Sequence, residues 1–430
     1  MVLSNIVFQS SKLRALFNIA MLYAGKTSGF LVIFLFLPLY KNLLGSEQFG
    51  IIAVILSLQA MVLMLDLGLS TIISRDVAAK ELNSIELVKL VATAEMSLFG
   101  FYLLLILILS ILKLFFKFEF IYFKSEITAV LLFFFLVLQN IYYSAMLACR
   151  EFITSTTALQ FFGIVVRSLI TWFVLNYFQA TVFSFIVTQL IVSIIHSLLM
   201  RTYLFHLFNA KYIFFCNIKK ELFSNCLVLL GRSRPLLLSA AAGAAAMQVD
   251  KPLISFFISA TDVTPYFLAV IYSSIPLTVL AGPIVQYFQP RIINNLSSDD
   301  SKTYKTNLTY FILSISMACI APVIILFYFN HTILLIWLGS PEQISLISSY
   351  CKILLIAYSI ATIGYIPYVI IIAKQDYKFQ ANTSITATII LICLLILSTF
   401  YLNIYYVCYS YLIYNLAVTT SFVIRTLTYR

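Results

Sequence analysis

The sequence predicts an all-α polytopic membrane protein of about 12 transmembrane helices, in two six-helix lobes related by a parallel pseudo-two-fold repeat. Three observations predict it. Hydrophobic residues fill 62% of 430 positions and charged residues only 10%, against roughly 25% charged in soluble domains. Mean hydropathy is +1.02. The apolar residues also come in long unbroken runs, whereas membrane β-barrel strands alternate over about ten residues. So few charges cannot cover a water-exposed surface on a chain this long, but a helix facing lipid needs none.

In chain order the runs cover 12–37, 48–72, 86–112, 124–147, 157–178, 181–204, 221–257, 264–290, 305–330, 344–372, 379–401 and 403–427. Lys12 and Arg14 precede the first, which continues to about Pro38 and is too long for a cleaved signal core. Glu47 and Arg75 bracket the second, Glu86 and Lys113 the third, and Lys124 and Arg150 the fourth. The fifth and sixth follow, the latter closing near Arg201. Lys219 and Lys220 introduce the seventh, Arg291 follows the eighth and Lys305 opens the ninth. Lys374 and Lys378 separate the tenth from the eleventh, and Arg425 ends the twelfth. About twenty residues at 1.5 Å each cross a 30 Å core, so the longer runs must tilt, protrude or break. The longest connections, near 73–85, 205–220 and 291–304, leave no room for a soluble domain.

Lysine and arginine concentrate in alternate connections and both termini, while the opposite set holds only Lys41, Lys113, Lys117, Lys124 and Lys251. This asymmetry predicts cytoplasmic termini. The net charge of +11 therefore reports topology; nucleic-acid binding would need a compact basic patch with polar support. The seven cysteines are scattered, the three histidines have no partner cluster, and no metal or nucleotide motif is present. No cofactor is expected.

A faint internal repeat organises the runs. Residues 46–68, from Ser-Glu-Gln-Phe-Gly to Leu65-Asp66-Leu67-Gly68, align at an offset of 215 with 261–283, from Thr-Asp-Val-Thr-Pro to Leu280-Ala281-Gly282-Pro283. Each segment follows the first helix of a half, so the halves enter from the same side. The expected division is a lobe over 1–204, a cytoplasmic linker over 205–220 and a lobe over 221–430.

Several of these segments resemble a known family. Phe49-Gly50, Leu65-Asp66-Leu67-Gly68-Leu69 and Arg75-Asp76-Val77-Ala78 are similar to the second-helix signature of bacterial polysaccharide flippases. The stretch Gln248-Val249-Asp250-Lys251-Pro252 and that from Tyr266 to Pro283 and Gln289-Pro290-Arg291 resemble their seventh and eighth helices. Leu335-Ile336-Trp337-Leu338-Gly339 and Gly364-Tyr365-Ile366-Pro367-Tyr368 fit later helices. Pro265 stands where the family has glycine, a change tolerated in a first helical turn.

The family comprises O-antigen and capsule translocases of the multidrug/oligosaccharidyl-lipid/polysaccharide exporter superfamily. The resemblance implies transport of undecaprenyl-pyrophosphate-linked oligosaccharide across the bacterial cytoplasmic (inner) membrane, with no covalent chemistry. It implies membrane lipids as surroundings, with a glycan polymerase and a chain-length regulator as partners. A multidrug or other organic-solute exporter is the alternative within the superfamily. A glycan polymerase or ligase is a second alternative, but the external connections are too short for such an enzyme's large arginine-bearing loop.

An anionic headgroup needs a polar, cationic path where burying charge is costly. The charges deep within spans are Lys26, Arg167, Arg232, Arg234 and Lys352 against Asp66 and Glu95. The five cations are the candidate contacts to pyrophosphate, arginine being suited to bidentate binding. Arg232 and Arg234, two apart, need a helix break or a broad cavity to face one channel, and Pro235 is placed to supply the break. Glu95 reads as a partner for a cation. Asp66, Asp250, Lys251 and Gly243 are gating or coupling candidates, with proton and sodium as the candidate coupling ions. Asp66 holds a nearby cation such as Arg75 in the blander reading. Asp250 and Lys251 are expected to point apart, and anchoring the turn between the seventh and eighth helices is their blander and preferred reading; Gly243, in its run of alanines, marks a bend or a close contact.

Overall fold

The computed structural model describes residues 11–64, 66–79, 84–116, 126–148, 153–208, 226, 228–231, 243–297, 301–339 and 343–429. Arg232, Arg234, Pro235, Lys117, Lys124, the side chain of Lys26 and the linker from 209 onward lie outside them. Ten stretches among the described residues are long and apolar enough to cross a membrane, and the chain is a multi-pass all-α membrane protein. It divides into two compact units: unit 1 is Met1–Leu44 with Gln59–Ala241, and unit 2 is Gly45–Leu58 with Ala242–Arg430. Residues 45–58 thus group with the later half, a division different from a simple cut at the linker.

Helix α1, Ser11–Met64, is broken at Gly45, whose φ of 74° no β-carbon would favour. The arms on either side are α1a and α1b. Unit 1 continues through α2 (Leu69–Ala79), α3 (Ser84–Phe116), α4 (Glu126–Ala148), α5 (Ile153–Tyr177) and α6 (Val182–Leu207). The predicted second span is therefore two helices. Leu67 and Gly68 both take positive φ, and Asp66 accepts from the amides of Gly68 at 3.0 Å and Ser70 at 3.3 Å. Those amides start α2 and have no helical carbonyl to meet, so the carboxylate caps them. Helix α6 packs chiefly on α4 and α5, joined by Gln139 Nε2 to the Ser193 carbonyl at 2.8 Å and Gln189 Nε2 to Thr171 Oγ1 at 3.0 Å.

Unit 2 comprises residues 45–58 and helices α7 (Asp250–Phe257), α8 (Ala260–Ser297), α9 (Ser301–Tyr328), α10 (Asn330–Leu338), α11 (Ile344–Ile363), α12 (Tyr365–Ala373), α13 (Tyr377–Phe400) and α14 (Ile404–Leu427). Helix α8 is its hub, packed on α9, α11 and α12. Ala281, Val285, Ile292, Phe311, Ile315, Val369 and Ala373 form one apolar cluster there. The start of α8 also meets α1b: Thr264 Oγ1 donates to the Ser46 carbonyl at 2.6 Å, and the rings of Phe49 and Phe267 pack edge-on. A β-carbon on Gly50 would overlap the Ala260 carbonyl.

Three features depart from the sequence-based expectation. The tenth span turns at Gly364 into α11 and α12. Helix α10 occupies a predicted connection, ended by Gly339 at φ 67°. The two repeat segments also differ locally, since Asp66–Gly68 lies between two helices whereas Leu280–Pro283 is helical throughout within α8. Pro283 lies well inside α8 and the helix continues past it, whereas consecutive positive φ angles such as those of Leu67 and Gly68 cannot belong to a right-handed helix.

At the α12–α13 turn, Asp376 Oδ2 accepts from the Tyr429 hydroxyl and from Arg425, each at 2.7 Å. Those two partners hold its carboxyl below the usual carboxylate range. A depressed acid contributes stability that is complete above its unfolded pKa, about 3.9, and lost as pH falls through the lower folded value. Asp376→Asn should therefore lower the melting temperature near neutrality, with the gap to wild type closing below about pH 4. Melting curves of both proteins across that range check this.

Candidate functional site

In unit 1, Arg167 sits mid-way along α5, half-buried. The hydroxyl of Tyr40 donates to the Ser168 carbonyl at 3.0 Å beside it. Among the described residues no carboxylate pairs with Arg167. A cation so placed within a span is costly unless an anion or a polar path compensates it.

The α5–α6 interface around it is polar at nearly every turn. Gly163 lets the His196 ring lie directly on the α5 backbone, where a β-carbon would strike the ring. His196 hydrogen-bonds the Leu159 carbonyl, while its Nε2 has no partner among the described residues, as is true of Thr156 Oγ1, Gln160 Oε1 and Ser193 Oγ. No sequence signal marked His196, because a lone histidine in a span has no spacing to recognise.

Glu95 of α3 does find a cation. Arg201 of α6 grips it through Nε at 2.7 Å and Nη2 at 3.1 Å, and the Tyr142 hydroxyl adds a third bond at 2.7 Å. A two-pronged arginine–carboxylate contact fixes geometry as well as charge. Asp66 is 5% exposed; besides its capping amides it receives Asn140 Nδ2 at 3.5 Å. Its two oxygens are engaged by neutral donors.

In unit 2, Asp250 and Lys251 do not point apart. Their side chains are 1% and 3% exposed, and Lys251 Nζ lies 2.9 Å from Asp250 Oδ1. The contact lacks hydrogen-bond alignment, Asp250 Oδ1 being without a bonded donor, so it is a charge pair. The expectation failed for a geometrical reason. Side chains on a helix lean toward its N-terminus, and the long lysine stem does so here, donating to the Met247 carbonyl at 3.1 Å. The ammonium is thereby carried back past Asp250. The other carboxylate oxygen accepts from Tyr266 at 2.5 Å, and the Tyr411 hydroxyl donates to the Ala246 carbonyl at 3.0 Å. Sequence reasoning assigned no role to Tyr266 or Tyr411, two of many tyrosines in apolar runs. Breaking a buried pair by removing one member costs about 3–5 kcal/mol.

Gly243 is helical and exposed, with open space around its missing β-carbon among the described residues. The irregularity falls instead at Val249, three residues before Pro252, which has no N–H to offer the Gln248 carbonyl. Lys352 on α11 is exposed. Of the five candidate cations, then, Arg167 and Lys352 have described side chains, one in each unit.

A sequence model of the family described as "Polysaccharide biosynthesis protein" matches residues 15–296. The chain belongs to the polysaccharide biosynthesis protein family. No curated protein matches it in sequence. Solved structures share the fold of this family member. It is similar to the lipid II flippase MurJ in an inward closed conformation, with TM-score 0.69 and 15% identity over 93% of this chain and 87% of that one. It is similar also to an inward-facing multidrug resistance MATE family transporter of the MOP superfamily, with TM-score 0.68 and 14% identity over 94% of each chain. A MOP superfamily transporter from Pyrococcus furiosus gives TM-score 0.60 and 14% identity over 96% and 95%. The fold of this polysaccharide biosynthesis protein is thus the one these solved structures share.

Proposed function

We propose that this protein moves undecaprenyl-pyrophosphate-linked oligosaccharide repeat units, of the O-antigen or capsule kind, from the inner to the outer leaflet of the cytoplasmic membrane by alternating access. Both termini then face the cytoplasm, and a glycan polymerase and chain-length regulator receive the product. The observation that carries this reading is Arg167, a half-buried cation within a span and without a carboxylate partner among the described residues, in a polysaccharide biosynthesis family member. A pyrophosphate is the anion such a guanidinium is shaped to hold. Lys26, Lys352, Arg232 and Arg234 are proposed to share the task along the path. Asp66, Asp250, Lys251 and Gly243 are the candidates for gating or ion coupling; the capping bonds of Asp66 and the open surroundings of Gly243 favour the other two, as a gate.

The test is reconstitution with radiolabelled lipid-linked oligosaccharide, reading headgroup accessibility from each leaflet. Protein-dependent exchange is expected, and its absence sinks the proposal. Arg167→Gln should slow exchange at least about tenfold, since a charge-assisted hydrogen bond contributes about 1.5–3 kcal/mol. The fold's likeness to a MATE transporter supports a second reading, export of an organic solute. Transport of a cationic dye with no oligosaccharide exchange would select it.

A further inference from the structure

The Asp250 carboxylate is an unusual feature of unit 2: it is buried in a lipid-embedded helical bundle and neutralised by its own neighbour in sequence. We propose that the Lys251 ammonium is a built-in cation, standing where a dissolved monovalent metal ion would otherwise be held by Asp250. As built, unit 2 then needs no sodium or potassium ion at this carboxylate. The inference concerns the folded chain itself and holds whatever the cargo is.

The surroundings of the ammonium support it. Nζ lies 2.9 Å from Asp250 Oδ1 and 3.1 Å from the Met247 carbonyl. Behind these stand the Tyr266 hydroxyl on Asp250 Oδ2 and the Tyr411 hydroxyl on the Ala246 carbonyl. The two groups that touch the ammonium, the Asp250 carboxylate and the Met247 carbonyl, offer oxygen, the donor that hard cations take. The attraction between Nζ and Oδ1 lacks the alignment of a hydrogen bond, so it resembles the undirected pull on an ion. Charge balance adds to the argument. A lone carboxylate at 1% exposure must be neutralised, and the tethered ammonium does so without the entropy loss of capturing a free ion.

The prediction is a gain of cation dependence. Lys251→Met keeps an unbranched stem but removes the charge, leaving Asp250 to recruit a cation from solution. Melting temperatures would be measured on the detergent-purified full chain, in mildly alkaline buffer with choline, sodium or potassium chloride at equal ionic strength. Wild type should melt alike in all three. Lys251→Met should melt lower in choline and recover several degrees in sodium or potassium, saturably. Asp250→Asn/Lys251→Met should again be insensitive. A wild type as responsive to sodium as the variant, or a variant that melts alike in all three salts, overturns the proposal. Should Lys251→Met yield no folded protein, Asp250→Asn is compared with the double variant for folded abundance in membranes. Lower abundance of the single variant, which strands a buried ammonium, supports the proposal; equal abundance overturns it.

Discussion

Replacing Gly50 with valine is expected to destabilise unit 2 by about 3 kcal/mol, the upper part of the range for overpacking. The first added carbon falls on the carbonyl oxygen of Ala260. That atom is backbone at the head of α8 and cannot turn aside as a side-chain tip can. Relief would require α8 to back away from α1b, separating the Phe49 and Phe267 rings and stretching the Thr264 bond to Ser46. Gly100 on α3 is the control, because nothing described lies within 4 Å of its missing β-carbon. Gly100→Ala should be neutral or stabilising, as alanine exceeds glycine by about 1 kcal/mol in helix propensity. Melting in detergent separates the two; equal melting temperatures for Gly50→Val and wild type would refute the close approach.

Gly163→Ala is the second large effect, and it carries its own remedy. The new carbon meets the His196 ring, which is 7% exposed and tied to the Leu159 carbonyl. A held ring cannot swing away freely, so a loss of about 2 kcal/mol is expected from overpacking. Removing the ring removes the collision. Gly163→Ala/His196→Ala should therefore be more stable than additivity of the two single changes allows, with an interaction of about 1 kcal/mol or more. Strict additivity would mean that α5 and α6 do not meet at this point.

The spans were legible because lipid imposes one demand along twenty residues at a time, and composition records it directly. The breaks were not, because each depends on a few backbone angles. Leu67 at φ 58° stands in a run as apolar as its neighbours, and only Asp66 beside it carries a signal, that of an N-cap. Glu95 was correctly read as wanting a cation, since a carboxylate in a span has few other options; that the cation would be Arg201, 106 positions away, is tertiary information. Asp250 and Lys251 were misjudged because angular spacing on an ideal helix ignores the length of a lysine stem. Gly50 was noticed through resemblance alone, and its physical reason appears only once Ala260 lies across it.

The grouping of residues 45–58 with helices α7 to α14 bears on how the protein can be taken apart. The chain changes unit at 44/45, at 58/59 and at 241/242, so no single cut yields two self-contained pieces. A fragment beginning at Ala242 would lack the segment against which Ala260, Thr264 and Phe267 are packed. Expressed alone it would present that bare surface to other chains. Supplying residues 45–58 in trans, as a separate helix, would be the way to make it behave.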